Sequence, residues 1–350
     1  MRADAMKNGD HTRGLTRRAT LAALASASGA APFAALAQQD AMGSLIAAAR
    51  AEGELVFYTA ATANVGKRIA EAFAAKYGIR TSFVRLSGLP LLQRYSSEAE
   101  AGSFAADAML NASSMSGFSD FALTKGWITP LSRAEIPAID TGEFPRSYVR
   151  ANTAVTMISP WLICYNTERV NKASIPRTWP DVLDPRWRGQ ILLADPTTSD
   201  AYLDLWSMLM DRYGPQFLEA LRKQVTRTYS GGPASIQALA AGEGALMLPT
   251  NQASMLETKD RGGPIDSVTP AFTTGVEMQV LLTARGKAKH YNAGRLFVHY
   301  ILSREGNAVL NNDPGAVTMY DTSGLPRDYA PPPPNALDRK KEILALLGAR

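Results

Sequence analysis

The chain has 350 residues, of which 46% are hydrophobic and 20% are charged, as is usual for a folded globular protein. Its 37 basic and 32 acidic side chains give a formal net charge of +5, but the first 37 residues hold five of the basic and two of the acidic ones. The remaining charge of +2 excludes a strongly basic surface for nucleic acid or an anionic membrane. A single cysteine, Cys164, excludes an intramolecular disulfide.

Residues 1–37 have the pattern of a twin-arginine export signal. Arg17 and Arg18 precede an apolar, alanine-rich stretch, and residues 35–37 form an A-x-A cleavage site before Gln38. An N-terminal helix or membrane anchor is the alternative, but the stretch is shorter than the ~20 apolar residues that span a bilayer. No cysteine follows the cleavage site to carry a lipid. We therefore expect folded export and a mature chain that is free in the bacterial periplasm.

Alternating strands and helices are predicted directly after the signal. Val65, Ile69, Phe73 and Tyr77 share one face of a helix that ends at Gly78. The elements of this first unit are strands at residues 54–58, 79–86 and 107–110 and helices at residues 64–77 and 91–102. This βαβαβ order predicts an α/β fold with a mainly parallel sheet and helices on both of its faces.

The same order returns in a second unit after residue 189. Its predicted elements are strands at residues 190–194, 226–229 and 245–248 and helices at about 201–213 and 233–241. Crossover strands between the units are predicted at residues 158–167 and near 268–274. We therefore predict two lobes joined by hinge strands, with lobe 1 formed by residues 38–160 plus 275–350 and lobe 2 by residues 161–274.

Candidate ligand-binding residues come from the loops that follow strands. In open α/β sheets, ligands bind outside the carboxyl ends of the strands, where the N-termini of the following helices offer free N–H groups and a partial positive charge. Five such loops are rich in hydroxyl, amide and glycine groups, which suits an anion. The candidates are Thr59, Ala60, Thr62, Ser113, Ser114, Thr197, Thr198, Ser199, Ser230, Gly231 and Asn251. The alternative is that these residues only cap helices. Arg94 and Tyr229 are close enough in sequence to contribute.

Sequence patterns of catalytic and metal sites are missing. No G-x-S-x-G, H-E-x-x-H, C-x-x-C or Walker A motif occurs. Beyond the signal only His290 and His299 remain, and their spacing puts them about two and a half helical turns apart, too far to share a metal ion. Asp195 and Asp200 could form an acid–base pair, although Asp200 is better explained as a helix cap. We predict no catalytic residue, no metal ligand and no bound cofactor.

Four segments carry a resemblance to a known family. They are Tyr165-Asn-Thr167 with Val170, residues 178–189, residues 241–243 and residues 297–306. Together and in this order they resemble the extracellular solute-binding proteins of ABC importers, closest to the branch with ferric-iron-binding proteins and relatives for phosphorylated or phosphonate solutes. The resemblance implies two α/β lobes that close over a solute and deliver it to an inner-membrane permease, without catalysis. We expect a monomer that inserts into no membrane and binds no nucleic acid.

The ligand class is argued from the loop that holds Asn251. Iron-type members of this family carry adjacent tyrosines just after that asparagine, whereas Gln252 and Ala253 stand there in this chain. The phenolate oxygens that would suit ferric iron are thus lost. The neutral, donor-rich loops favour a small carboxylate, phosphate ester or phosphonate. The alternatives are a periplasmic hydrolase or transferase, and ferric iron held by other oxygen ligands such as Glu277, Tyr229 and Asp200.

Overall fold

The computed structural model describes residues 30–86, 88–112, 115–333 and 335–349. The chain divides into two units, residues 1–45 and residues 46–350. The described part of the first unit is helical and belongs to α1 (Ala30–Glu52), which includes both sides of the predicted cleavage site. Arg17 and Arg18 lie outside the described residues, so the export signal stays a prediction. Within the described residues, no helix has the length and apolar character to cross a membrane.

The elements of the described chain follow the predicted alternation of strands and helices. The strands are β1 (Glu54–Thr59), β2 (Arg80–Arg85), β3 (Ala108–Ala112), β4 (Ile128–Thr129), β5 (Ala154–Pro160), β6 (Leu162–Asn166), β7 (Ile191–Ala194), β8 (Val225–Tyr229), β9 (Leu246–Thr250), β10 (Ile265–Val268), β11 (Phe272–Thr273), β12 (Gly275–Thr283) and β13 (Asp328–Tyr329). The further helices are α2 (Ala63–Tyr77), α3 (Gly88–Glu100), α4 (Met115–Thr124), α5 (Pro137–Asp140), α6 (Asp200–Tyr213), α7 (Gln216–Gln224), α8 (Gly232–Ala240), α9 (Gln252–Asp260), α10 (Tyr291–Leu302), α11 (Arg304–Leu310) and α12 (Lys340–Leu347).

The first sheet has the strand order β2-β1-β3-β12-β4, and β5 also pairs with β12. β1 lies parallel between β2 and β3, as the βαβαβ order predicts. β12 is antiparallel to β3, β4 and β5, so the other five strands of this sheet run in the same direction and only β12 is reversed. The sheet is therefore mainly parallel, as predicted, with one reversed strand, β12, which returns to it from the other half of the chain.

The second sheet has the strand order β10-β6-β9-β7-β8. β7 is parallel to β8 and β9, whereas β6 is antiparallel to β9 and β10. The chain crosses between the sheets at Trp161, which links β5 to β6 in the predicted crossover segment. Cys164 is fully buried in β6, and burial raises the pKa of its thiol to about 12. It therefore behaves as a small apolar core residue.

The end of the C-terminal segment (residues 328–333 and 335–349) packs on the helices α6 and α7 of the second lobe. β13 pairs with β11, and α12 places Ile343 and Leu347 in the core of the second lobe. Arg339 donates a hydrogen bond to the Asp211 carboxylate on α6 at 2.6 Å. The sequence analysis assigned this segment to the first lobe, with α10, which does pack there through the stacked rings of Phe297 and Phe57. A short amphipathic helix fits any apolar groove within reach, so its sequence does not select the lobe.

Candidate functional site

The loops at the carboxyl ends of β1, β2 and β3 meet at one edge of the first sheet. The Ala60 amide donates to the Leu110 carbonyl at 2.9 Å, and the Leu86 amide donates to the Thr59 carbonyl at 3.3 Å. Asn111 donates from its side-chain amide to the carbonyl of the first residue of α3 at 3.4 Å. The predicted first-lobe residues within the described chain are thus gathered at this edge.

The two described threonines of this edge use their hydroxyl oxygens locally. Thr59 is fully buried, and its Oγ1 accepts a hydrogen bond from the Ala61 amide at 3.0 Å. Thr62 caps α2, because its Oγ1 accepts from the Val65 amide at 3.4 Å. Two predicted residues lie outside the described part of the chain: Ser113 and Ser114.

The second-lobe loops behave in the same way. Thr197 and Thr198 both donate from their hydroxyls to Asp195, to its carboxylate and its carbonyl respectively, each at 2.7 Å. Ser199 caps α6 by accepting from the second amide of that helix at 3.3 Å. Asn251 caps α9 by accepting from its third amide at 2.9 Å. Helix capping, the alternative weighed for these loops, is what both side chains do in this structure.

The Ser230–Gly231 turn lies against the Thr198 loop. Gly231 has a φ of 145° and a ψ of 173°, a conformation that residues with a side chain rarely adopt. A Cβ atom at this position would lie 4.0 Å from Thr198 Oγ1. Ser230 is exposed. The structure therefore gathers the predicted residues into one group per lobe, and no hydrogen bond joins the two groups within the described chain.

Arg94 and Tyr229, the two further candidates, are engaged elsewhere. The Arg94 guanidinium pairs with Glu98 at 2.8 Å and donates to the Tyr58 hydroxyl at 3.1 Å. The Tyr229 hydroxyl donates to the Glu243 carboxylate at 2.5 Å. Both side chains thus belong to local surface networks.

Arg85 is a candidate that the sequence analysis missed. It is the exposed last residue of β2, and its Nε donates to the Ala61 carbonyl at 3.3 Å, beside the Thr59–Thr62 turn. A guanidinium at this edge is well suited to a phosphate or carboxylate. The available signal was its position, since a basic residue ends a predicted strand on the edge where ligands bind.

A cavity of about 910 Å³ lies between the two lobes. α3 lines it from the first lobe along residues 89–97, together with the first two turns of α4. The first two turns of α6 line it from the second lobe, and β12 lies between them. The C-terminal segment completes the wall. Lining residues include Leu89, Phe118, Asp200, Asp204, Glu277 and Gln279. The described lining residues thus come mainly from α3, α4, α6, β12 and the C-terminal segment, and they include none of the predicted ligand-binding residues.

Carboxylates dominate the second-lobe side of the cavity. Asp200 and Asp204 stand one turn apart on α6, so both face the same side. Burial, and secondarily the charges of Asp200 and Glu277, raise the pKa of Asp204 to about 7. Lys340 from the C-terminal segment lies 3.9 Å from Asp200. The i,i+4 spacing of two aspartates at a predicted helix start was the sequence signal for this wall.

Glu277 on β12 connects the cavity with the C-terminal segment. Its buried carboxylate lies 3.6 Å from the Arg150 guanidinium and accepts from the Tyr329 hydroxyl at 3.2 Å. Burial raises the pKa of Glu277, while Arg150 opposes that rise. Gln279, two residues further along β12, accepts from the Thr153 hydroxyl at 2.6 Å. This polar surface forms the floor between the lobes.

The first-lobe side carries no such negative charge. Neither α3 nor α4 has an acidic residue in its first turn, so their N-terminal N–H groups keep their partial positive charge. Leu89 and Phe121 expose apolar surface on this side. The cavity therefore has one wall that is apolar and weakly positive and one that is acidic.

The histidines have structural roles. His299 is buried and accepts from the Ala138 amide at 3.1 Å, and burial lowers its pKa to about 4, so the ring is neutral. His290 Nδ1 lies 3.0 Å from the Asp107 carboxylate. Within the described residues, no group of three His, Cys, Asp or Glu side chains is placed to hold a metal ion.

Two α/β lobes with a cavity between them define the class of two-lobed binding proteins. A family model described as bacterial extracellular solute-binding protein matches residues 107–327, and the chain belongs to that family. This confirms the resemblance drawn from the four sequence segments and the predicted periplasmic localisation. The protein is thus a solute-binding component of the ABC transporter class.

The chain is also similar to individual proteins. It is 29% identical over 273 residues to an uncharacterised protein of Haemophilus influenzae, covering 74% of this chain and 75% of that one. The iron-bound structure of HitA from Pseudomonas aeruginosa has a TM-score of 0.64 at 20% identity, covering 84% of this chain and 98% of HitA. AfuA from Actinobacillus pleuropneumoniae, with bound fructose-6-phosphate, has a TM-score of 0.61 at 23% identity, covering 79% and 86%. These structures confirm the predicted α/β fold.

Proposed function

We propose that this protein captures a small anionic solute, a carboxylate, phosphate ester or phosphonate, between its lobes and delivers it to a membrane permease. The observation that carries the proposal is that α3 and α4, whose first turns hold no acidic residue, line the cavity that α6 closes from the second lobe. Helix N-termini present free N–H donors and a partial positive charge, which favour anions. The solute is a ligand in this proposal and undergoes no reaction.

The first lobe supplies the main attraction for the anion. Its two helix N-termini lack acidic neighbours in the first turn, and Arg85 stands at the edge from which α2 and α3 begin. The structural relative AfuA holds a sugar phosphate, which supports the same ligand class.

Closure of the lobes follows from where the walls lie. A solute in the cavity touches α3 and α4 on one side and α6 on the other only when the lobes approach each other. Because solute binding then favours the closed form, solute binding and lobe closure are coupled. A closed monomer is the form that we expect the permease to receive.

The experiment is a binding screen on the purified mature chain. Inorganic phosphate, fructose-6-phosphate, citrate and ferric citrate are tested by thermal shift and calorimetry, after native mass spectrometry for any retained solute. We expect an anion to raise the melting temperature. A visible charge-transfer band after ferric loading would instead favour the iron alternative, and no shift with any anion would contradict the proposal.

Two arginines on one strand provide a matched pair of variants. Arg85→Gln removes the charge at the carboxyl end of β2, whereas Arg80→Gln removes one at the opposite end, where Arg80 pairs with Glu54. We expect Arg85→Gln to weaken anion binding about tenfold, as for a lost charge-assisted contact. Arg80→Gln should bind like the wild type. If the two variants bind the anion with equal affinity, Arg85 does not contact the ligand.

A further inference from the structure

Exposed apolar side chains concentrate at the cavity. Four large hydrophobic residues of the described chain are well exposed, and three of them line this cavity: Leu89 at 49%, Phe121 at 45% and Leu337 at 50%. The fourth, Leu123, is 39% exposed and lies outside it. Exposed apolar surface grouped in one concave place marks a binding surface rather than random scatter.

The three residues come from opposite sides. Leu89 and Phe121 belong to α3 and α4 of the first lobe, whereas Leu337 belongs to the C-terminal segment. Pro331, Pro332 and Pro333 line the cavity beside Leu337. An apolar group between these two sides would therefore be covered from both, and the removal of its surface from water would favour binding.

The C-terminal segment is held on both sides of its prolines. On one side, β13 pairs with β11, and the Tyr329 hydroxyl donates to Glu277 on β12 of the first sheet. On the other side, Ile343 is fully buried in the second-lobe core, and Arg339 pairs with Asp211. Because both flanks are held, the proline stretch is a fixed part of the cavity wall.

We propose that the C-terminal segment is part of the solute site and gives it a preference for anions that carry an apolar body, such as an aromatic ring or a short hydrocarbon chain. The inference rests on the proposed anion binding and adds to it the second half of the ligand. The anionic group faces the helix N-termini, and the apolar body lies between Leu337 and Leu89. Solutes without such a body leave this surface exposed to water and bind more weakly.

The direct test uses 8-anilinonaphthalene-1-sulfonate, a probe with aromatic rings and one anionic group. Its fluorescence titration is compared between the wild type, Leu89→Ser, Leu337→Ser and the control Leu123→Ser. All three side chains are exposed, so none of the variants is expected to unfold, and melting curves verify this. We expect a three- to tenfold weaker Kd for Leu89→Ser and Leu337→Ser and less than a twofold change for Leu123→Ser. No binding to the wild type, or equal affinities throughout, would overturn the inference.

A second measurement separates this inference from the proposed function. Phenyl phosphate and inorganic phosphate share the anionic group and differ in the ring. We expect the wild type to prefer phenyl phosphate about tenfold and Leu337→Ser to lose most of that preference while its affinity for inorganic phosphate is unchanged. If neither phosphate binds but the sulfonate titration responds as expected, the proposed ligand class is wrong and the apolar part of the site is supported. If both phosphates bind equally well to the wild type, the preference for an apolar body is contradicted and anion binding is supported.

Discussion

The two sides of the cavity are built by the same rule and carry opposite chemistry. On each side, helices that follow parallel strands line the solute space, which is where open α/β sheets generally bind ligands. The first-lobe helices α3 and α4 start without acidic residues, whereas α6 presents Asp200 and Asp204. Topology thus decides where a ligand can lie, and the side chains of the first two turns decide which charge it may have.

This difference assigns distinct roles to the lobes. In the proposed site, the first lobe offers N–H groups and apolar surface, with Arg85 at the edge of its sheet, and these groups would attract an anion with an apolar body. The second lobe closes the site with a carboxyl, Asp204, that ionises near neutral pH because it is buried close to Asp200 and Glu277. In the proposed site, the carboxylates of the second lobe therefore repel an anionic ligand, and this repulsion grows as the pH rises and Asp204 ionises.

The largest effect is expected from removing the second-lobe charge in Asp204→Asn. Folding raises the pKa of Asp204 from the usual 3.8 to about 7. Between these values the folded chain holds a proton that the unfolded chain releases, so stability falls as the pH rises through this range and is level above it. At about 1.4 kcal/mol per tenfold change in proton affinity, we expect the variant to gain on the order of 2–4 kcal/mol at pH 8 and almost nothing at pH 4.

Urea unfolding at both pH values measures this gain. Asp338→Asn is the matched control, because Asp338 also lines the cavity but is exposed. It should change the free energy of unfolding by less than about 0.5 kcal/mol at either pH, as surface substitutions usually do. If Asp204→Asn raises the free energy of unfolding by the same amount at both pH values, the ionisation of Asp204 does not distinguish the second-lobe wall from the first-lobe wall.

A second prediction concerns anion affinity as a function of pH. As the pH rises from 6 to 8, Asp204 loses its proton and places a negative charge in the cavity beside Asp200 and Glu277. We expect the affinity for an anion to fall by up to about tenfold across this range, since like charges near a partly buried site repel by roughly 1 kcal/mol or more. Calorimetry on the wild type and Asp204→Asn measures it.

The variant should show a flatter profile than the wild type, because its cavity no longer titrates at residue 204. A phosphate ligand also ionises near neutral pH, so citrate and a sulfonate serve as ligands whose own charge is nearly constant from pH 7 to 8. If the wild type and the variant give parallel profiles with these ligands, Asp204 does not face the solute.

The smallest effect is expected for the capping side chains, which compare the two lobes directly. Thr62→Ala and Ser199→Ala remove one cap in each lobe, and each should lower the free energy of unfolding by about 1 kcal/mol. If the residues only cap helices, ligand affinity should stay within about twofold. A tenfold loss of affinity in either variant would show that its hydroxyl also contacts the solute, and the more strongly affected lobe would be the one that holds the polar group.

Local signals in the sequence predicted most of the elements. The apolar spacing from Val65 to Tyr77 and the glycine after it predicted α2, and the structure begins this helix after Thr62 and ends it with Gly78 in a left-handed cap. The strands at residues 54, 80, 108, 191, 225 and 246 were predicted within two residues of their observed starts. Such features depend on residues within one turn or one strand, so the chain specifies them without long-range contacts.

Pairings between segments that are far apart in the chain were harder to predict from the sequence. The antiparallel β12 and the docking of α12 on the second lobe depend on which apolar surfaces remain open after other elements have packed. The cavity lining was missed for the same reason, since Leu89 and Leu337 meet only through the arrangement of both lobes and the C-terminal segment. Polar loop residues attracted the prediction because hydroxyls at helix starts suit anions, yet the same hydroxyls cap helices.

By itself, the sequence determined the class of this protein: two α/β units in series, the edges at which their loops gather, a periplasmic address and the solute-binding family. Periodicity, helix caps and family motifs are local patterns, so they can be recognised in the sequence alone. Only the tertiary structure decided that the C-terminal segment joins the second lobe, and that an acidic wall faces an apolar one across the solute space. Those features depend on groups that are far apart in the chain, and burial, which sets the pKa of Asp204 and the exposure of Leu337, exists only after the chain has packed.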